Sequence, residues 1–110
     1  MSQPDPTPND STPMWDKVIA FCAGRLPASL IADMQARDAL GRERYGVPLQ
    51  AHNGRDALQD AYDEALDLCV YSMQYYTETG RGFTIFTATL ANLGEVHREI
   101  QWRAKCASPR

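Results

Sequence analysis

Apolar positions recur at helical spacing through most of this chain, beginning with Trp15, Val18, Ile19 and Cys22 behind Pro13. The spacing predicts a short helix from Pro13 or Met14 to about Ala23, closed by Gly24. A second helix is predicted after Pro27, with Ala28 or Ser29 near its cap, running to about Tyr45, where Gly46 and Pro48 stop it. Its inward stripe reads Ile31, Met34, Asp38, Gly41 and Tyr45, so Asp38 stands where a hydrophobe belongs. Either the helix is rotated slightly and Asp38 pairs at its edge with Arg42 one turn on, or the acid points inward. Asn53-Gly-Arg-Asp56 reads as the start of a third helix, with Asn53 as cap and Asp56 returning a bond to it, and Gly80 and Gly82 close that helix after about Thr79. A fourth is predicted from Phe83 or Thr84 to Lys105, with Phe86, Leu90, Leu93, His97 and Ile100 as its apolar stripe. The stretch from Phe83 to Thr89 has strand-like composition, but its continuation into that stripe assigns it to helix. The expected fold class is all-α: a helical bundle with one short and three longer helices.

The third helix is unusual in how its charge is placed. At 100° per residue, Asp56, Asp60, Asp63, Glu64 and Asp67 fall within an arc of roughly 100°, and apolar or aromatic side chains take roughly 220° of the rest. So wide an apolar arc implies packing on several sides, and hence a homo-oligomer. Val70 and Tyr71 flank the line of Asp67 and are expected to close over the acids. Like charges one turn apart need compensation, which water supplies on an exposed stripe and a cation such as Mg2+ supplies in a lined pocket.

Composition narrows the setting. With 110 residues, 44% hydrophobic and 23% charged, the chain is expected to hold a single helical domain over residues 13–105. Residues 1–12, with Pro4, Pro6 and Pro8 among polar neighbours, read as a disordered N-terminal tail, and 106–110 as a flexible C-terminus. A net charge of -3 with scattered basic residues argues against duplex nucleic acid as partner. No apolar run reaches the roughly 20 residues of a membrane span, and Met1 to Pro13 lacks the basic start and apolar centre of a signal peptide. A cytoplasmic location is expected, with Cys22, Cys69 and Cys106 as reduced thiols and Cys69 a small core hydrophobe.

Glu64-Ala-Leu-Asp67 has the E-x-x-D form, and E-A-L-D-L-C-V-Y resembles the second metal-binding helix of the MazG-like, all-α nucleoside triphosphate pyrophosphohydrolases. Arg37-Asp-Ala-Leu-Gly-Arg-Glu-Arg-Tyr-Gly-Val-Pro-Leu-Gln50, followed by Asn53-Gly-Arg-Asp56, is similar to small proteins of bacteriophage and prophage genomes; the resemblance spans roughly residues 30–77. It implies hydrolysis between the α and β phosphates, with Mg2+ or Mn2+ held by carboxylates of two helices. Glu64 and Asp67 match the motif as catalytic ligands, and Asp38 and Asp60 stand as supporting acids of the metal set. Arg37, Arg55, Asn53 and Tyr71 are the expected substrate contacts. The E-E-x-x-E motif that such enzymes carry on the preceding helix is missing, since residues 28–45 hold only Asp33, Asp38 and Glu43 as acids.

Each of these residues also has a structural reading. The arginines can pair with Asp38, Glu43 or Asp56 on solvated faces, and Tyr71, Tyr75 and Tyr76 can be packing residues rather than a stacking surface. His97 replaces a hydrophobe and reads as a hydrogen-bonded core histidine. Two functions therefore stay open. The first is a nucleotide-binding, Mg2+-dependent pyrophosphohydrolase of phage origin, acting in the host cytoplasm. The alternative is a non-enzymatic interaction protein that sequesters a nucleotide signal or inhibits a host protein.

Overall fold

The computed structural model describes residues 2–107, and its regular elements are four helices, α1 (Met14–Cys22), α2 (Ala28–Tyr45), α3 (Ala57–Thr79) and α4 (Phe83–Ala107). Among the described residues there is no strand, only an isolated bridge between Pro13 and Gln50. The chain divides into two compact units, Met1–Arg55 and Asp56–Arg110.

In the first unit α1 packs on α2. Pro27, with φ of -57°, leads into α2 without a side-chain cap, and its carbonyl accepts from the amides of Leu30 and Ile31. Ile31, Met34, Asp38 and Gly41 are half-buried, as the predicted stripe requires, whereas Tyr45 is exposed. Gly46 ends the helix in the left-handed region at φ 73°, a conformation that costs a side chain but not glycine.

Residues 4–11, which composition marks as a tail, lie along the loop that follows α2. Thr7 N donates to the Asn53 carbonyl at 2.8 Å, Asn9 Nδ2 to the carbonyls of Ala51 and His52, and Arg55 Nη1 to the Pro4 carbonyl at 2.9 Å. At the centre is the buried Gln50. Its Oε1 accepts from Asn9 N at 3.2 Å, and its Nε2 donates to the carbonyls of Asn9 and Ser11 at 2.7 and 2.8 Å. Composition measures the apolar area a segment can bury, and it is silent on polar docking of this kind.

The second unit is a hairpin of α3 packed on α4. Its N-cap is Asp56, which accepts from Gln59 N at 3.1 Å, and this corrects the expected cap at Asn53. The Asn53 side chain is already used inside the loop, accepting from Arg55 N at 3.1 Å. The packed row of α3 is Leu58, Tyr62, Ala65, Cys69, Ser72 and Tyr76; on α4 it is Phe86, Thr89, Leu93, Val96 and Ile100. The α4 stripe is thus rotated from the expected one, because the small Thr89 fits the close approach while Leu90 and His97 fall outside the seam. Tyr62 and His97 meet with ring centroids 6.1 Å apart, and Tyr76 and Phe83 with centroids 4.9 Å apart. His97 thus makes a ring contact at the edge of the seam, where a core position was expected.

The hairpin is fixed at both ends. At the turn, Gly82 has φ of 77°, and a Cβ there would come within 3.2 Å of both Ile85 and Tyr75. At the open end, Arg103 makes a two-pronged pair with Asp56, both bonds 2.8 Å. Cys106 and Ala107 belong to α4, and the remainder of the flexible end expected over 106–110 lies outside the described residues.

The described residues include no buried hydrophobic side chain; the four buried residues are Gln50, Asn53, Ser72 and Thr89. Cys69, expected in a core, is half-buried on the seam. The α3 arc expected to be packed on several sides is covered along one side, by α4. Among the described residues no helix is long and apolar enough to cross a membrane.

Candidate functional site

The acidic arc of α3 divides by what its members touch. Asp56 is occupied by Arg103 and by the Gln59 amide, and these bonds, the Arg103 one foremost, hold its carboxyl below the usual 3.8. Asp63 accepts from Gln59 Nε2 at 2.9 Å, one turn back, and Asp60 is half-buried in the first turn. Glu64 and Asp67 are exposed, and neither side chain makes a hydrogen bond or ion pair with another described residue. Three residues apart on a helix, they are neighbours on its surface.

Asp38 has a different fate. It lies on α2 in the first unit and accepts from Arg42 Nε at 2.9 Å, with Asp16 also 3.7 Å from Arg42. The Asp38 bond raises the Arg42 guanidinium above its ordinary value. Of the two expectations for Asp38, the edge pair with Arg42 is the one observed. Neighbouring Arg37 is exposed. Asn53 is buried, and Arg55 reaches the Pro4 carbonyl, so both take part in the docking of residues 4–11.

The expected site residues therefore fall into groups. Asp60, Glu64, Asp67 and Tyr71 share α3; Arg37 and Asp38 share α2; Asn53 and Arg55 share the loop before α3. Val70 and Tyr71 are 61% and 64% exposed, so within one chain they leave the acids open to solvent. The expected closure took the two side chains as covered, and helical spacing alone does not say what packs beside a helix.

For a metal the donor count matters. The described residues contain no group of three or more His, Cys, Asp or Glu side chains able to hold an ion, so a complete protein cage does not fit. Mg2+ is commonly held by only one or two carboxylates, with waters and substrate phosphates completing its shell. Glu64 and Asp67 fit that smaller requirement. Sequence reading passed over one other feature, an open hollow of about 670 Å3 on α4 lined by Arg98, Gln101, Trp102, Ala104 and Lys105. Trp102, with Arg98 four residues before it and Lys105 three after, was the available signal; Arg98 pairs with Glu95. Compared with protein-family models, curated proteins and solved structures, the chain gives no match.

Proposed function

We propose that this protein is a MazG-like nucleotide-binding protein that takes its ligand as the Mg2+ complex on the Glu64–Asp67 turn of α3. The observation that carries this reading is the lack of any cationic or hydrogen-bonding partner for those two exposed carboxylates among the described residues, while Asp56 and Asp38 are neutralised by arginines. Glu64 and Asp67 would hold the ion, with Asp60 one turn earlier adding negative potential and the exposed Tyr71 ring offering a stacking surface. When bound, Mg2+ neutralises phosphate charge and orients water. Asp38, Asn53 and Arg55 have no part in this reading, because the first unit uses them.

Two carboxylates are too few to retain the ion alone. The expected result is a rise in melting temperature with nucleoside triphosphate and Mg2+ or Mn2+ together, little with metal alone, and loss of the rise in Glu64→Gln. Pyrophosphate release from standard and modified nucleotides tests whether hydrolysis follows. No turnover, together with no thermal shift for any nucleotide and metal, sinks the reading.

A second reading, an interaction protein without chemistry, is favoured by the large side chains left open on α3, among them Leu68, Tyr71 and Tyr75. Nucleotide binding without turnover and unaffected by Glu64→Gln decides for a protein that sequesters a nucleotide signal. A captured host protein with no nucleotide effect decides for an inhibitor.

A further inference from the structure

Within the first unit, the loop after α2 holds residues 4–11 mainly by their backbone. Gln50 Nε2 donates to the carbonyls of Asn9 and Ser11, and its Oε1 accepts from the Asn9 amide. The Asn53 carbonyl accepts from the Thr7 amide, and Arg55 reaches the Pro4 carbonyl. All five bonds end on main-chain atoms of the segment, so they do not depend on its side chains. One side chain is read as well. Asn9 Nδ2 donates to the carbonyls of Ala51 and His52 at 2.9 and 3.0 Å, while its Oδ1 accepts from the Ser11 amide. Main-chain bonds for affinity, with a side-chain contact for choice, are one way proteins bind extended peptides.

The two sides of this contact are built differently. On the loop, Gln50 and Asn53 are each only 7% exposed, and His52 takes left-handed backbone at φ 57°, which a residue other than glycine keeps only where its surroundings hold it. On the segment, residues 4–10 are exposed except the half-buried Pro6, and no aliphatic or aromatic side chain anchors them. Pro4, Pro6 and Pro8 fix their own φ and keep the residues before them extended, so the segment loses little freedom on docking. They alternate with Thr7 and Asn9, and each missing amide falls beside those the loop uses.

We propose that residues 50–55 form a peptide-recognition site that the chain's own residues 4–11 fill as a tethered ligand. Its partner is an extended, proline-interleaved segment of another protein with asparagine in the register of Asn9. A second copy of this chain is a poorer occupant, because its segment already makes the same bonds in its own loop and exchange gains none. Tethering keeps the loop filled until a competitor arrives, since a short link gives the attached segment an effective concentration of about millimolar. The chain is pinned again at Met14, whose amide donates to the Leu49 carbonyl at 2.7 Å, so release of the segment leaves the start of α1 in place. The proposal does not rest on nucleotide binding, which uses Glu64 and Asp67 of α3.

Fluorescence anisotropy of a labelled synthetic peptide covering residues 3–13, titrated with the full chain, tests it. The Asn9→Ala protein, with its own segment loosened and its loop intact, binds the peptide about tenfold or more tighter than wild type does. Adding Gln50→Ala to that protein, or replacing the asparagine of the peptide by alanine, removes about tenfold or more of the affinity. Should Asn9→Ala fold poorly, Thr7→Pro, which deletes one amide from the tethered segment, opens the loop to the peptide in the same way. Equal binding by wild type, Asn9→Ala and the Gln50→Ala variants, no binding by any of them, or indifference to asparagine in the peptide overturns the proposal. So does a wild-type dimer in sedimentation that Asn9→Ala dissolves, which gives the loop to a second copy.

Discussion

Around Gln50 the first unit packs amides against carbonyls; along the α3–α4 seam the second packs side chains from two long helices, and of its described residues only Ser72 and Thr89 are buried. The difference lies in what each needs from outside itself. A buried amide with both ends bonded is complete, and its partners are satisfied where they stand. An apolar seam with no buried hydrophobe is incomplete, because contact area with a single neighbour is all it has. The polar unit gains order from directional bonds, and the apolar unit gains stability in proportion to the area its two helices cover on each other.

Replacing Gln50 by Ala attacks the comparison most severely. It leaves the carbonyls of Asn9 and Ser11 and the amide of Asn9 without their partner, at a cost of about 1–3 kcal/mol. The expected signature is faster hydrogen exchange at the Thr7 and Asn9 amides with α3 and α4 unaffected. Unchanged exchange there would show that the first unit is held by something other than this amide.

A smaller effect is expected from Asp56→Asn, which keeps a good capping residue but removes the charge that faces Arg103. The carboxyl of Asp56 is held below its ordinary 3.8, so its contribution is complete above that value and is lost as pH falls from there through the depressed one. The wild-type protein should therefore lose stability along an acid limb that is shallower in Asp56→Asn. Equal limbs in the two proteins would remove Arg103 from the account of the hairpin's open end.

Thr89→Val should change least, by less than about 1 kcal/mol, and toward higher stability. The Thr89 hydroxyl donates to the Ile85 carbonyl one turn back, at 2.8 Å, and that carbonyl keeps its helical amide when the hydroxyl is replaced by a methyl of similar size. A large loss of thermal stability would mean that the seam, like the first unit, depends on a buried polar bond.

Much of the fold was legible in the sequence because its boundaries are written in residues with one strong preference. Pro27 and Gly46 bracket α2, and Gly80 and Gly82 separate α3 from α4, where left-handed backbone is needed. The start of α3 was misread because Asn53 and Asp56 are both good caps. The choice is made by the loop, which engages Asn53 with Thr7 and Arg55. Docking of residues 4–11 was invisible for a similar reason, since Gln50 finds Asn9 across 41 positions of sequence and no local pattern encodes that pairing. On α4 the pattern showed which side is apolar, but it did not say which half of that side meets α3.

The candidate site was legible only in part. Helical periodicity was enough to place Glu64 and Asp67 on one face, yet whether Val70 and Tyr71 cover them depends on neighbours that spacing does not name. Asp38 was open to two readings until Arg42 was seen to hold it.

The pair between Asp56 and Arg103 joins the first turn of one long helix to the last turns of the other, across 47 positions. With the Gly80 to Gly82 turn at the opposite end, it pins both ends of the stretch that runs from the cap of α3 to Arg103 of α4. Opening of that stretch should then proceed in a single cooperative event, with amides beside Asp56 and just before Arg103 exchanging at the rate of those in its middle.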